Sequence, residues 1–228
     1  MRILKNILLA VLLLGACYAR ADTLSDTLNT IEDAWAKIYY TLPEPQQAQA
    51  YALLLEKAAK LSQQYPQAAG ALVWQAVIKA SYADHQDPLS ALNAIDDIRA
   101  LLEQSIALDP NALKGGAYVV LGTLYHLAPP WPVAFGDDTE AEKLLQAALK
   151  INPDGLDSNY YYGQFLLAKQ KPTEAQRHFA KAIAAPIRPE QIFADTQLQD
   201  EAKQTLKNIA GNNSSDKTSR FYSRVLIK

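Results

Sequence analysis

The segment "NYYYGQFLLAKQKPTEAQRHFAKAIAAP", residues 159–186, decides the fold. Gly163 lies in its first apolar stretch, and Ala175, Phe179 and Ala182 recur on one face of the second. Small residues at these places let two antiparallel helices approach closely, and a large ring at Phe179 fills the gap to whatever packs next. Pro186 then closes the unit.

This is the pattern of a tetratricopeptide (TPR) repeat, with Tyr162-Gly163 in the place of the Leu-Gly pair of the first helix. The unit before it repeats the pattern. Tyr118, Leu121-Gly122 and Tyr125 mark its first helix, and Ala141, Leu145, Ala148 and Pro153 its second. Twelve residues lead from Gly163 to Ala175, whereas nineteen lead from Gly122 to Ala141. The excess of seven residues falls within the stretch "APPWPVAFGDD", an insertion in the turn between two helices, where a solenoid tolerates added chain.

Upstream the same phase is fainter. "IRALLEQSIALDP" carries Ile98, Leu102, Ser105 and Pro110 as a second helix after "GALVWQAVIKASYAD". "LLLEKAAKLSQQYP" carries Leu54, Ala58, Leu61 and Pro66 after "LSDTLNTIEDAWAKIYY". About four helix pairs are therefore expected. A capping helix follows, begun by Pro189 and stopped by Gly211. The fold class is an all-α, tetratricopeptide-like helical-hairpin superhelix with a C-terminal capping helix. Its domain covers 22–211, with a Gly/Asn/Ser linker and apolar tail at 212–228.

The N-terminus, "MRILKNILLAVLLLGACYARADTLSD", combines Arg2 and Lys5 with an apolar run of about eight residues, the make-up of an export signal and too short to span a membrane. Two cleavage sites compete. Leu14-Gly15-Ala16-Cys17 resembles a lipobox, which would make Cys17 the lipid-attachment residue. Ala19-Arg20-Ala21 fits ordinary signal peptidase, releasing a chain that starts at Asp22. Either way residues 1–21 hold the signal and the destination is the periplasm, lipid-anchored or soluble. Cys17 is the only cysteine, so the mature chain has no internal disulfide. Cutting before Cys17 removes two of the 22 basic residues and none of the 24 acidic ones, so the product is more acidic than the full chain at −2. With no Lys/Arg cluster, nucleic acid is not an expected partner.

Nothing local reads as catalysis or metal binding. His85, His126 and His178 are far apart in sequence, and no HExxH, GxSxG or P-loop is present. Asp137 or Asp138 of "GDD" is expected to cap the next helix, and "NPDG" to turn between helices. No enzyme activity, cofactor or metal is expected. Aromatics are the candidate site. Tyr160, Tyr161 and Tyr162 point ~100° apart on a helix, so they cannot all enter one seam. Tyr118 and Tyr125 share a face, and Trp131 and Phe135 ride on a loop stiffened by Pro129, Pro130 and Pro132. Tyr118, Tyr125, Trp131, Phe135, Tyr160 and Tyr161 are the expected ligand- or partner-binding residues. The loop is expected to fold over the inner surface as a wall for a small organic acid or lipid-like ligand, or for a partner.

The stretch "YVVLGTLYHLAPPWPVAFGDDTEAEKLLQAALKINPDGLDSNYYYGQFLL" resembles the T-component (TatT) family of TPR proteins associated with TRAP transporters. Its elements are Leu121 to Tyr125, Ala128 to Asp137, Glu140 to Leu149, Asn152 to Gly155 and Asn159 to Gly163. "AAPIRPEQIFADTQLQDEAKQTL" resembles the family's Ala-Pro-x-Arg-Pro segment and closing helix. Where the family carries a basic residue before Ala141-Glu142, this chain has Thr139-Glu140. The resemblance implies a non-enzymatic envelope protein that works beside the periplasmic solute-binding protein of a TRAP transporter. It further implies a homo-oligomer, a trimer, with a channel through each protomer for a small apolar or amphipathic ligand. The competing expectation is a general TPR interaction scaffold in envelope assembly with no small-molecule site.

Overall fold

In a computed structural model, residues 24–211 are described, and they form helices throughout. The first helix, α1, runs through residues 24–41. It is followed by α2 (Glu44–Gln64), α3 (Ala69–Ala83), α4 (Pro88–Leu108), α5 (Gly116–Leu127), α6 (Asp138–Ile151), α7 (Leu156–Ala168), α8 (Pro172–Ala184) and α9 (Ile192–Ala210). Short 3-10 turns at Ala112–Gly115 and Pro189–Gln191 lead into α5 and α9. Four hairpins and a cap are thus formed in the phase expected from the sequence. The export signal, Cys17 and the tail from 212 lie outside the described residues.

Local chemistry sets the ends of these helices. Asp87 caps α4 by accepting from the N–H groups of Leu89 and Ser90, both at 3.1 Å, with Pro88 at the first position. Asp137 caps α6 by accepting from Thr139 N at 2.7 Å and Glu140 N at 3.2 Å. "NPDG" makes its turn through Asn159, whose Nδ2 donates to the carbonyls of Pro153 and Gly155, each at 2.9 Å.

Each helix packs on the next in sequence, and α3, α5, α7 and α9 also touch in succession. The core is accordingly a chain of three clusters and not one centre: around Tyr51 and Ile78, around Ile98 and Leu102, and around Leu145 and Phe179. This is how a solenoid buries apolar surface, each hairpin covering its neighbour. Gly122 and Gly163 are the points of closest approach. A Cβ on Gly122 would lie 2.8 Å from Leu145 Cγ, and one on Gly163 would lie 3.1 Å from the Phe179 ring.

The turn of the superhelix brings its two ends together. Arg188, just before α9, reaches Glu32 of α1 at 2.8 Å, and Gln191 Nε2 donates to the Asn29 carbonyl at 3.2 Å. Tyr40 meets Phe193 edge to face at 6.1 Å. A contact between residues 32 and 188 closes the concave side of the molecule.

Candidate functional site

Beside that closure, on the inner side of the superhelix, lies a partly open cavity of about 330 Å³. Its wall comes from the first helix of every hairpin, α1, α3, α5 and α7, together with α9 and the turns leading into α5, α7 and α9, while helices α2, α4, α6 and α8 contribute nothing. One side is apolar and aromatic: Trp35, Val73, Trp74, Val77, Val119 and Tyr161. Trp35 and Trp74 lie 5.9 Å apart, and Trp35 Nε1 donates to Ser81 Oγ at 2.9 Å. The Trp74 indole N–H is buried with no acceptor among the described residues.

The other side is charged. Arg188 Nε donates to both oxygens of Asp195 at 3.1 Å, its Nη2 donates to Oδ1 at 2.5 Å, and its backbone N–H donates to Oδ2 at 2.8 Å. The same Nη2 holds Glu32. Asp195 and Glu32 are 2% and 8% exposed, so both carboxyls are buried, while the Arg188 side chain keeps 29% of its surface in solvent. Burial pushes the Glu32 carboxyl up to about 7, with Arg188 opposing and the charges of Asp157 and Asp195 adding. Burial also raises Asp157, again against the pull of Arg188. For Arg188 burial acts downward, but Asp195, Asp157 and Glu32 outweigh it and hold its proton above the ordinary range.

A strained turn shapes one rim. Leu113 (φ 48°), Lys114 (φ 54°) and Gly115 (φ 84°) are three successive left-handed residues. Two of them are not glycine, at roughly 1–3 kcal/mol apiece. The turn lays Leu113 over Gly70 of α3 and sets Lys114 at the cavity mouth. Another cavity, of about 460 Å³, lies at the α1–α2 turn and the end of α3, with Tyr39, Tyr51, Asp84 and His85 in its wall. It belongs to one end of the superhelix and lacks the contribution of successive repeats.

Of the six aromatics expected at the site, Tyr161 alone lines this cavity. Tyr160 is buried, donating from its hydroxyl to Glu201 Oε2 at 2.8 Å. Tyr118, Tyr125 and Phe135 join the cluster between α3 and α6. The proline-rich loop folds back on α4 and α5 and not over the inner surface. Phe135 packs edge-on to Tyr125 at 5.0 Å and lies under the Arg99 guanidinium at 4.2 Å. Asp137 N donates to the Tyr125 carbonyl at 3.0 Å, and Gly136 N to Pro129 at 2.9 Å, pinning both ends of the loop. Trp131 remains outside, 85% exposed, beside Val133 at 60%.

The histidines also find local partners. His126 Nδ1 is 2.6 Å from Asp138, which accepts from Lys169 Nζ at 2.8 Å, and His178 Nδ1 is 3.0 Å from Asn159 Oδ1. Among the described residues no group of three or more His, Cys, Asp or Glu is placed to hold a metal ion. Nor is any described helix long and apolar enough to cross a membrane.

Glu32, Asp157, Arg188 and Asp195 were not singled out by the sequence reading. The available signal was weak: ionisable residues set among apolar ones, as Glu32 is between Ile31 and Trp35 and Asp195 between Ala194 and Leu198. Compared with protein-family profiles and with curated proteins, the chain matches none.

Proposed function

We propose that this chain is a non-enzymatic binding protein of the cell envelope that holds a small ligand inside its superhelix, as an accessory component of a TRAP-type solute uptake system. The observation that carries the binding part is the cavity on the inner side of the superhelix, where aromatic and aliphatic groups meet a cluster of charged ones, a lining suited to an amphipathic guest. Its volume is at the lower end for small-molecule sites, which run from ~300 to ~1,000 Å³. The buried Trp74 N–H supports the same reading, since an unpaired interior donor costs ~1–3 kcal/mol unless something accepts from it. The transport context rests on the resemblance to the T-component family, and fold-level likeness alone does not carry function.

A partner surface is favoured by a separate observation. Trp131 and Val133 stand exposed on a loop whose base is held by Phe135, and large apolar groups presented rigidly at a surface are suited to docking. This fits a solute-binding protein, and equally the alternative of an envelope scaffold.

Native mass spectrometry of the full chain as purified tests the binding reading. The expected result is a mass above that of the bare polypeptide, with the excess released on denaturation. Bare protein in every preparation, together with no thermal shift from any small amphiphile, would leave the scaffold reading in its place.

A further inference from the structure

The charges in the cavity are unequal, and their arrangement selects among guests. Two buried carboxyls, Glu32 and Asp195, and the half-buried Asp157 face the Arg188 guanidinium, with Lys114 the only other cation among the described residues of the wall. Asp195 takes that guanidinium in several hydrogen bonds, and Glu32 takes its remaining reach. The Asp157 carboxyl accepts from its own backbone N–H, and Arg188 and Lys114 act on it through their charges without closing an ion pair. The other charged groups of the wall, Lys114, Glu190 and Asp154, are exposed at its edge, with Asp154 directed to Lys181 at 3.6 Å.

We propose that the cavity is selective for an organic ammonium ion with a short apolar body, its head against Asp157 and Glu32 and its body between Trp35, Trp74 and Tyr161. This inference rests on the reading of the cavity as a ligand site and names the class of ligand. A carboxylate with too little positive charge beside it in a partly desolvated site is costly, and a cation brought beside it recovers that energy. Indole and phenol faces attract the same charge, with the strongest effect where water is excluded. A carboxylate guest meets the opposite field: the guanidinium that would receive it is already bonded to two carboxyls. The raised protonation of Glu32 and Asp157 agrees, since both carboxyls lack sufficient positive charge nearby. At ~30 Å³ for each water-sized volume, 330 Å³ admits a body on the order of ten heavy atoms.

The test compares three probes of one chain length, octylammonium, octan-1-ol and octanoate, by isothermal titration into the full protein. Octylammonium is expected to bind at least tenfold tighter than octanol, with octanoate weakest. Asp157→Asn should remove most of that preference while octanol binding stays within twofold, which also shows that the variant is folded. Glu32→Gln is the second variant, with a smaller loss of the same sign. Equal binding of the ammonium and the alcohol, or tighter binding of octanoate, overturns the ammonium inference and leaves the cavity as an apolar site. Failure of all three probes to bind overturns both the inference and the cavity reading beneath it.

Discussion

Replacing Gly122 by alanine asks how closely α5 and α6 are pressed together. The new methyl would meet Leu145 Cγ at 2.8 Å, the Ala141 carbonyl oxygen at 3.1 Å and the Leu145 nitrogen at 3.1 Å. Two of these three neighbours are backbone, so rotating a side chain gives no relief and the helices must part. Overpacking costs about 1–3 kcal/mol, and with two backbone neighbours the upper part of that range, about 2–3 kcal/mol, applies. The alanine returns about 1 kcal/mol through its better helix propensity, leaving a net loss of about 1–2 kcal/mol. Gly163→Ala is the matched control. There the nearest atoms belong to the Phe179 ring, at 3.1 to 3.3 Å, and a ring can tilt by a few tenths of an ångström. The same propensity gain should bring this variant to within ~1 kcal/mol of the parent, whereas Gly163→Leu has no such escape. Scanning calorimetry and urea unfolding of the full chain measure both. For a domain of this size Gly122→Ala should lower Tm by roughly 2–8 °C. A Gly122→Ala protein as stable as the parent, or a Gly163→Ala protein that is the more damaged, would refute the packing argument.

Two further outcomes concern the charged side of the cavity. Arg188→Ala strands Asp195, which is 2% exposed, and should destabilise by about 3–5 kcal/mol in urea unfolding, with Arg188→Ala/Asp195→Leu recovering a large part. Glu32 should impose a pH dependence, because its folded value is about 7 against an ordinary 4.5. The folded chain keeps a proton that the unfolded chain releases, so this contribution to stability is complete below about pH 4.5 and is lost as pH rises through about 7. His178 acts in the other direction: burial lowers it, so protonation below its ordinary 6.5 favours the unfolded chain. Comparing parent and Glu32→Gln at pH 5 and pH 8 isolates the glutamate, and identical slopes would show that it does not hold the proton.

The scaffold was legible because its rules are local. Gly163, Ala175, Phe179 and Ala182 recur at the spacing that two packed helices demand, and one such unit sets the phase for those before it. Asp137 could be read as a cap because a carboxylate before an acidic first turn has one good use. Site residues were harder to read. Tyr160, Tyr161 and Tyr162 were bound to point three ways, but which of them meets the cavity depends on the rotation of α7 against α9. Phe135 was expected to reach inward, and Arg99, thirty-six positions earlier, holds it on the outside. The Glu32–Arg188 contact leaves no periodic trace, because it comes from the summed rotation of every repeat between its partners.

An open solenoid behaves as a spring: it can lengthen, and it frays from its ends. Fastening the first turn to the last removes both freedoms. Loss of α9 would therefore loosen α1 at the far end of the sequence, and melting should proceed in fewer, larger steps than nearest-neighbour coupling gives.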